Sequence, residues 1–347
     1  MPEINERDVA QSIKSGKFAP IYLFYGEEDY LKRVYVERII NAAVTDFGEA
    51  NIHRLDGTAS ADDITSAADA IPMMSEYSCV VVSDYAFSSL SELQYKQFKA
   101  VIEQPNECCV LIFTYESALP KPKSDKGKEL FNLLSKKAQT VNFAHKTEKE
   151  LADAIIRRAA KRNINLQPTV AKGIVQRCGE NLENLLNETD KLCDYVGKGA
   201  AVTMADVDLI CSKTVEASSF DLADAVCAGN SDLALSICAD LFEARTEPLL
   251  ILGALSGVFV DIYRVKLGEA EGMRTDDLAT AFGYGKAAFK LRRAAQSGKR
   301  MSQGSVQKAL EILRRTDLSL KGSRTDPKTI MERCLVDLIR TVSGRQL

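Results

Sequence analysis

The sequence predicts an α/β domain followed by all-helical domains, and three observations support this fold class. Within the first 143 residues, short apolar runs alternate with segments whose apolar residues recur at helical spacing. The runs do not alternate between polar and apolar residues, as is typical of parallel strands covered on both faces. After His145 no further strand pattern is visible. We therefore expect a doubly wound, parallel, five-stranded sheet followed by helices alone.

The predicted elements of the first domain alternate regularly along the chain. The expected strands are Pro20–Tyr25, Ile52–Leu55, Cys79–Val82, Cys108–Tyr115 and Thr140–Phe143. The expected helices are Leu31–Ile39, Ala61–Ile71, Ser89–Glu103 and Glu129–Lys137. Gly26 ends the first strand, and Pro120–Lys128 is the most loop-like segment of the chain.

The remainder of the chain is expected to form two helical domains, so that the predicted domains are residues 1–143, 144–213 and 214–347. The series that begins at Leu151 includes Pro168, which suits the first turn of a helix. Predicted helix breaks in the last domain are Gly229-Asn230, Gly268–Gly272, Gly283–Gly285 and Gly298. The longest uncharged apolar stretch, Pro248–Val260, falls short of the roughly 20 residues that cross a bilayer, which predicts a buried helix.

Composition limits the possible partners and cofactors. The 347 residues carry a net charge of −3, so any contact with DNA is expected to be local. The nine cysteines form no C-x-x-C pair, and the two histidines lie far apart in sequence. This pattern predicts buried free thiols in a reducing cytoplasm, with no zinc site and no cofactor. The acidic start, Met1–Glu6, lacks the apolar region of a signal peptide.

The sequence also lacks the residues of a nucleotide-hydrolysing site. A P-loop needs G-x-x-x-x-G-K-[ST] between a strand and a helix, and none of the Gly-Lys pairs here is followed by Ser or Thr. The turn after the first strand instead carries Glu27, Glu28 and Asp29, which would repel a triphosphate. Asp84 is interpreted as a strand-terminal turn residue, and the pairs Asp62-Asp63 and Asp276-Asp277 as helix starts. No catalytic activity is predicted.

Several segments, in order along nearly the whole chain, resemble the DNA polymerase III delta subunit family. They are Pro20–Glu28 with Leu31, Ile71–Ser75 before Cys79–Val82, Gly229-Asn230 with Ala234-Leu235, Glu247–Leu249, Leu252–Leu255, Asp261–Lys266, and Asp317–Lys321 with Asp326-Pro327. The resemblance implies a degenerate AAA+ module, a small helical lid and a helical collar that assembles a clamp loader. The arginine-finger triplet Ser-Arg-Cys of related loader subunits is replaced here by Gln176-Arg177-Cys178 and Glu332-Arg333-Cys334.

The resemblance also implies partners and a clamp-binding site. The partners would be the sliding clamp (beta), the gamma/tau and delta-prime subunits, and primed DNA, all within the cytoplasmic DNA polymerase III holoenzyme, a nucleotidyltransferase. No membrane is implied. Met73 and Met74 would form a hydrophobic wedge that enters an apolar pocket on the clamp, with contributions from Ile71 or Tyr77. The family pattern usually has a bulkier second residue than Met74.

Four alternatives stay open on the sequence alone. Met73 and Met74 could instead pack under the sheet. The chain could be a delta-prime-like stator that never binds the clamp, or an AAA+ ATPase with an unusual phosphate site. A basic stretch with nearby aromatic residues is a secondary candidate for DNA contact, and a solvated helix face is the alternative. Its candidate residues are Tyr284, Lys286, Phe289, Lys290, Arg292 and Arg293, followed by Lys299 and Arg300.

Overall fold

The computed structural model describes residues 4–342, apart from residues 88, 89, 117, 286 and 287. The chain divides into two units, Met1–His145 and Lys146–Leu347. The predicted division of the second unit near residue 213 stays a prediction.

The first unit alternates strands and helices as its apolar periodicity predicts. In order, its elements are α1 (Glu6–Ser15), β1 (Ile21–Tyr25), α2 (Asp29–Ala43), α3 (Gly48–Asn51), β2 (Ile52–Leu55), α4 (Ala61–Asp69), β3 (Ser78–Ser83), α5 (Glu92–Glu103), β4 (Cys109–Thr114), α6 (Asp125–Lys137) and β5 (Gln139–Asn142). The described strands form one sheet in the order β2-β3-β4-β1-β5, and every pair is parallel. The predicted five-stranded parallel sheet is confirmed.

Both faces of this sheet are buried, because successive strand residues point to opposite sides. Leu23 of β1 packs with α4, α5 and α6 on one face. Its neighbours Tyr22 and Phe24 pack with α1 and α2 on the other. The helices therefore cover the sheet from both sides, as predicted for a doubly wound fold.

Some predicted boundaries were wrong, and capping explains the largest error. Helix α6 begins at Asp125, inside the segment predicted to be a loop. Ser124 is its N-cap, and the Ser124 hydroxyl accepts a hydrogen bond of 3.1 Å from the amide of Gly127. The cap outweighs the proline and glycine content that favoured a loop. Helix α4 ends at Asp69, so Ile71 lies outside the helix that was predicted to include it.

The second unit is helical throughout its named elements. They are α7 (Glu148–Lys161), α8 (Pro168–Cys178), α9 (Leu182–Val196), α10 (Met204–Ile210), α11 (Val215–Cys227), α12 (Ser231–Glu243), α13 (Pro248–Ala270), α14 (Thr275–Ala281), α15 (Ala288–Ser297), α16 (Gln303–Gly322) and α17 (Pro327–Val342). Pro168 occupies the first position of α8, as predicted. A large apolar core forms from residues of α11, α12, α13, α15, α16 and α17.

Helix α13 is the longest helix of this core. Its 23 residues are long and apolar enough to cross a membrane by length and composition alone. Its buried residues, however, include Leu252, Leu255, Phe259 and Ile262, which pack in the core of the second unit. This is the pattern of a core helix, so α13 gives only weak evidence for a membrane span.

The break predicted at Gly268–Gly272 begins only at Glu271, because Gly268 lies buried inside α13. A Cβ atom at Gly268 would lie 2.3 Å from a methyl carbon of Leu278 on α14. This glycine therefore allows close packing between two helices rather than ending one.

We predict that Gly268→Ala lowers the free energy of unfolding by about 1–3 kcal/mol, because the added methyl group collides with Leu278. Gly257→Ala is the matched control, since a Cβ atom at Gly257 in the same helix meets nothing within 4 Å. The control should be neutral or stabilising by up to about 1 kcal/mol. Urea denaturation measures both variants, and equal stability of the two would contradict the packing argument.

Most of the cysteines lie in the interior, as predicted. Seven are buried, Cys227 is partly buried and Cys108 is exposed. Burial raises the pKa of the Cys79 thiol to about 12 and that of Cys109 to about 11, so both stay protonated near neutral pH.

Candidate functional site

The carboxyl ends of the strands form the edge where doubly wound sheets usually bind ligands. Here a cavity of about 490 Å³ lies at that edge. Its lining residues come from α2, from Arg54 at the end of β2, and from the ends of β3 and β4. Asp84 follows β3 with φ +54°, and its carboxylate accepts a hydrogen bond of 3.1 Å from the amide of Glu116. Asp84 is therefore a turn residue after β3 that also fixes the loop after the neighbouring strand β4.

The side chain of Lys32 points inward at this edge and is buried. Its ammonium group donates hydrogen bonds of 2.6 Å to the carbonyl oxygens of Gly26 and Tyr115, and also contacts that of Glu116. It forms an ion pair of 2.7 Å with Asp29. An ammonium group has three protons to donate, so the backbone carbonyl groups and Asp29 already accept all the hydrogen bonds that Lys32 can donate.

The turn after β1 is also closed against the neighbouring strand. Gly26 has φ +116°, and a Cβ atom there would lie 2.4 Å from the carbonyl oxygen of Phe143. The same Phe143 oxygen accepts a hydrogen bond of 2.9 Å from the amide of Glu28. In a P-loop, backbone amides at this position face phosphate. Here the Glu28 amide is bonded to the chain, and the turn bears carboxylates.

We predict that Lys32→Met lowers the free energy of unfolding by about 1–3 kcal/mol, because the carbonyl groups at this edge lose their buried hydrogen-bond donor. Neither the wild type nor this variant should bind ATP. Urea denaturation and titration with a fluorescent ATP analogue test the two statements. Lys96→Met, at an exposed position of α5, is the control for loss of a lysine charge. Tight binding of the analogue by the wild type would contradict the prediction that this edge of the sheet does not bind nucleotide.

The amino ends of β2, β3 and β4 form the opposite edge, and an exposed apolar segment lies there. The segment connects α4 to β3 and carries Ile71, Met73 and Met74, with exposed fractions of 91%, 55% and 77%. These side chains do not pack under the sheet, which removes that alternative for the two methionines. Single exposed apolar residues are ordinary, but three within four residues form a patch.

A buried asparagine fixes the backbone of this segment. Asn51, which is 1% exposed, ends α3 just before β2. Its side-chain amide donates a hydrogen bond of 2.8 Å to the carbonyl oxygen of Met73, and its side-chain oxygen accepts one of 2.7 Å from the Met73 amide. Asn51 also donates one of 3.0 Å to the carbonyl oxygen of Asp46. The segment is therefore held by two reciprocal bonds.

Phe47 adds a fourth exposed apolar side chain from the adjacent loop. Its carbonyl oxygen accepts a hydrogen bond of 3.1 Å from the Asn51 amide, and its ring is about half exposed. Phe47 and Met74 have φ +49° and +52°, which is uncommon outside glycine, asparagine and aspartate. Such backbone conformations concentrate at functional sites. We call Phe47, Ile71, Met73 and Met74 the apolar patch.

Tyr77 does not share this exposure. Its ring is partly buried and meets the ring of Phe18 edge-on, with centroids 5.4 Å apart. Burial raises the pKa of its phenol, and the adjacent Glu76 raises it further. The structure thus brings together Ile71, Met73 and Met74 but places Tyr77 at the margin of the core.

Comparison with known proteins gives the family. Residues 22–144 match the sequence profile described as DNA polymerase III, delta subunit. Residues 216–338 match the one described as DNA polymerase III delta subunit, C-terminal domain. The chain belongs to the DNA polymerase III delta subunit family. The resemblance inferred from the sequence is confirmed.

Individual members of the family show how far the similarity extends. The chain is 24% identical to DNA polymerase III subunit delta of Bacillus subtilis over 96% of each chain. It is 24% identical to the probable delta subunit of Aquifex aeolicus over 37% of each. The solved structure of the Bacillus subtilis DNA clamp loader delta protein covers 96% of this chain and is itself covered to 99%, with a TM-score of 0.68 and 22% identity. At that identity, the structural likeness supports the fold alone.

The sequence analysis missed Phe47, which belongs to the apolar patch, and Asn51, which supports the patch. Phe47 carried a signal, since it is an aromatic residue before a glycine in an otherwise polar stretch. Asn51 carried none, because its partner Met73 lies 22 residues further along the chain.

The basic stretch of this delta-family chain is largely paired within the protein. Arg293 forms an ion pair of 2.7 Å with Asp221 and lies over the ring of Phe220. The Tyr284 hydroxyl bonds with Asp261 and Arg264. Arg292 is exposed, Phe289 and Lys290 are partly buried, and Lys286 lies outside the described residues. DNA contact stays a prediction, which the internal pairing of Arg293 and Tyr284 does not favour.

Proposed function

We propose that this chain is a non-catalytic clamp-loader subunit that binds the sliding clamp through its apolar patch and holds the clamp open on primed DNA. The observation that carries the proposal is a fixed, exposed cluster of apolar side chains in a member of the delta family. Ile71, Met73 and Met74 would enter an apolar pocket on the clamp, and Phe47 would cover the pocket's rim. Gamma/tau and delta-prime subunits would assemble with the helical second unit.

The size of the patch sets the strength of the contact. Burial of an apolar side chain of this size contributes roughly 1.5–3 kcal/mol. Complete burial of both methionines would thus contribute roughly 3–6 kcal/mol before the costs of association. Because Asn51 already holds the Met73 backbone, less conformational entropy would be lost on binding.

This free energy is too small to separate a large clamp interface by force. A ligand shifts a conformational equilibrium only by its difference in affinity for the two states. The chain would therefore bind the open clamp more tightly than the closed one, and strain within the closed ring would supply the rest. ATP would act on other subunits of the loader, which suits the position of Lys32 in this one.

Two simple measurements, clamp binding and nucleotide binding, distinguish this function from its two rivals. A delta-prime-like stator would not bind the clamp by itself, whereas an unusual AAA+ ATPase would bind nucleotide. The closed turn at Gly26 and the buried Lys32 disfavour the ATPase. The exposed apolar patch disfavours the stator, because such a surface needs a partner. A cytoplasmic location within the replisome is part of the proposal.

We predict that the double substitution Met73→Ser, Met74→Ser weakens binding to the cognate clamp by roughly 3 kcal/mol or more, which is about 100-fold in Kd. The measurement is calorimetric titration of the purified chain with clamp in the absence of nucleotide. Leu93→Ser is the matched control, because Leu93 is an exposed apolar residue of the same unit outside the apolar patch. Its affinity should equal that of the wild type.

Two results would count against this function. If the wild-type chain does not bind its clamp, a delta-prime-like stator function is preferred over clamp binding. If the double variant binds as tightly as the Leu93→Ser control, then the clamp-binding surface lies elsewhere on the chain.

Asn51 is expected to act as a positioning residue for the patch. Asn51→Ala should lower clamp affinity by about 1–2 kcal/mol, since Met73 would lose both side-chain bonds and its backbone would have to be ordered on binding. Hydrogen exchange at the Met73 amide should become faster in the variant. Asn51→Asp should retain part of the affinity, because a carboxylate can still accept from that amide.

A general loss of stability must be separated from a loss of positioning. Gly268→Ala serves this purpose, because it is expected to destabilise a different unit of the chain without changing the patch. If Gly268→Ala and Asn51→Ala reduce clamp affinity equally, the positioning role of Asn51 is refuted.

A further inference from the structure

Three metal-ligating side chains converge in the interior of the second unit. They are Cys178 at the end of α8, Glu188 in the middle of α9, and Cys211 directly after α10. All three are buried, and their sulfur and oxygen atoms all lie within 4.8 Å of one another. The ligands are 10 and 23 residues apart in sequence, so no paired-ligand spacing indicates them.

The two chain segments that carry the thiols are tied together beside the cluster. The guanidinium group of Arg177 donates hydrogen bonds of 2.9 Å to the carbonyl oxygen of Cys211 and of 3.0 Å to that of Asp208. The Thr214 amide donates one of 3.1 Å to the carbonyl oxygen of Arg177. These contacts fix the backbone on both sides of the sulfur atoms, so the donors are arranged in advance.

We propose that Cys178, Glu188 and Cys211 bind a divalent transition metal ion of the zinc type. Three atoms within 4.8 Å of one another lie within about 2.8 Å of a common point, against Zn–S and Zn–O distances of about 2.3 and 2.1 Å. Shifts of roughly 0.5 Å per donor would complete three ligands of a tetrahedral site. Water would be the fourth ligand.

The chemistry of the donors favours this kind of ion. Thiolate ligands select zinc and similar ions over magnesium and calcium, which prefer oxygen. Two thiolates, one carboxylate, a divalent ion and the ammonium group of Lys191, which lies 2.7 Å from Glu188, sum to zero charge. The Ser212 amide donates a hydrogen bond of 3.2 Å to the Glu188 carboxylate and would orient it.

The alternative to a bound metal ion is the metal-free cluster, in which both cysteines are protonated. Without metal, their sulfur atoms lie beside the Glu188 carboxylate. Metal binding would replace these protons and connect α8, α9 and α10 through one centre. The two states differ in metal content and thermal stability, and the proposal does not depend on clamp binding.

The test is titration of the reduced, chelator-treated full chain with Co²⁺, which is a coloured substitute for Zn²⁺. We expect one equivalent to bind, with the intense visible bands of a tetrahedral site and a sulfur-to-cobalt charge-transfer band. Zn²⁺ should displace Co²⁺ and raise Tm. Cys178→Ser and Cys211→Ser should each weaken Co²⁺ binding and reduce the charge-transfer band, and Glu188→Gln should weaken Co²⁺ binding at least 10-fold.

Cys238→Ser is the matched control, because Cys238 is a buried thiol in a different part of the same unit. It should bind Co²⁺ like the wild type. The proposal is overturned if the folded wild-type chain shows no charge-transfer band, or if Cys178→Ser binds Co²⁺ with the affinity and band intensity of the wild type. Should the cysteine variants fail to fold, the wild-type titration and Glu188→Gln decide the question. Equal Co²⁺ affinity of wild type and Glu188→Gln would then exclude the three-ligand site.

Discussion

Burial of both faces of the parallel sheet is the constraint on which the rest of the first unit depends. Alternate residues of β1, β3 and β4 enter opposite apolar clusters, so neither face of the central strands is free for a partner. The loops at the two ends of the strands carry side chains that can reach other molecules. The function of this unit is therefore decided by what each strand end presents.

The two ends present opposite chemistry. At the carboxyl ends, the ammonium group of Lys32 is bonded to carbonyl groups of the chain, and the turn after β1 is closed against Phe143. At the amino ends, Asn51 uses its polar atoms on backbone groups and leaves apolar side chains outward. One buried polar residue, Lys32, is thus bonded to the chain at the usual ligand edge, and another, Asn51, supports the apolar patch that we propose binds the clamp. The same fold can in this way exchange nucleotide binding for partner binding without any change of topology.

The sequence predicted the sheet well because its signals are local. Runs such as Val80–Val82 and Val110–Phe113 are apolar without alternation, which is typical of strands covered on both faces. Errors arose where local composition and a specific contact disagree. Pro120–Lys128 appeared loop-like, although Ser124 caps a helix that begins within it. Gly268 appeared to break a helix, but it lies inside that helix and allows close packing against Leu278.

The site was predicted less completely, because its support comes from distant residues. Met73 and Met74 could be proposed from the resemblance of their segment, but Asn51 binds that segment across 22 residues and Lys32 binds Tyr115 across 83. The cluster of Cys178, Glu188 and Cys211 likewise forms from three separate segments of the chain. Such contacts follow from the tertiary arrangement of distant segments, which no single segment encodes.

Rigid support has a consequence for how a small patch could act on a large ring. A flexible apolar loop would lose much of its binding free energy in becoming ordered, at about 1–2 kcal/mol per residue fixed. The reciprocal bonds between Asn51 and Met73 place this loss in folding rather than in binding. A rigid patch also distinguishes sharply between two shapes of its partner, because it cannot adjust to both. Discrimination between closed and open clamp states would then depend on the fixed position of Met73 and Met74, more than on the area that they bury.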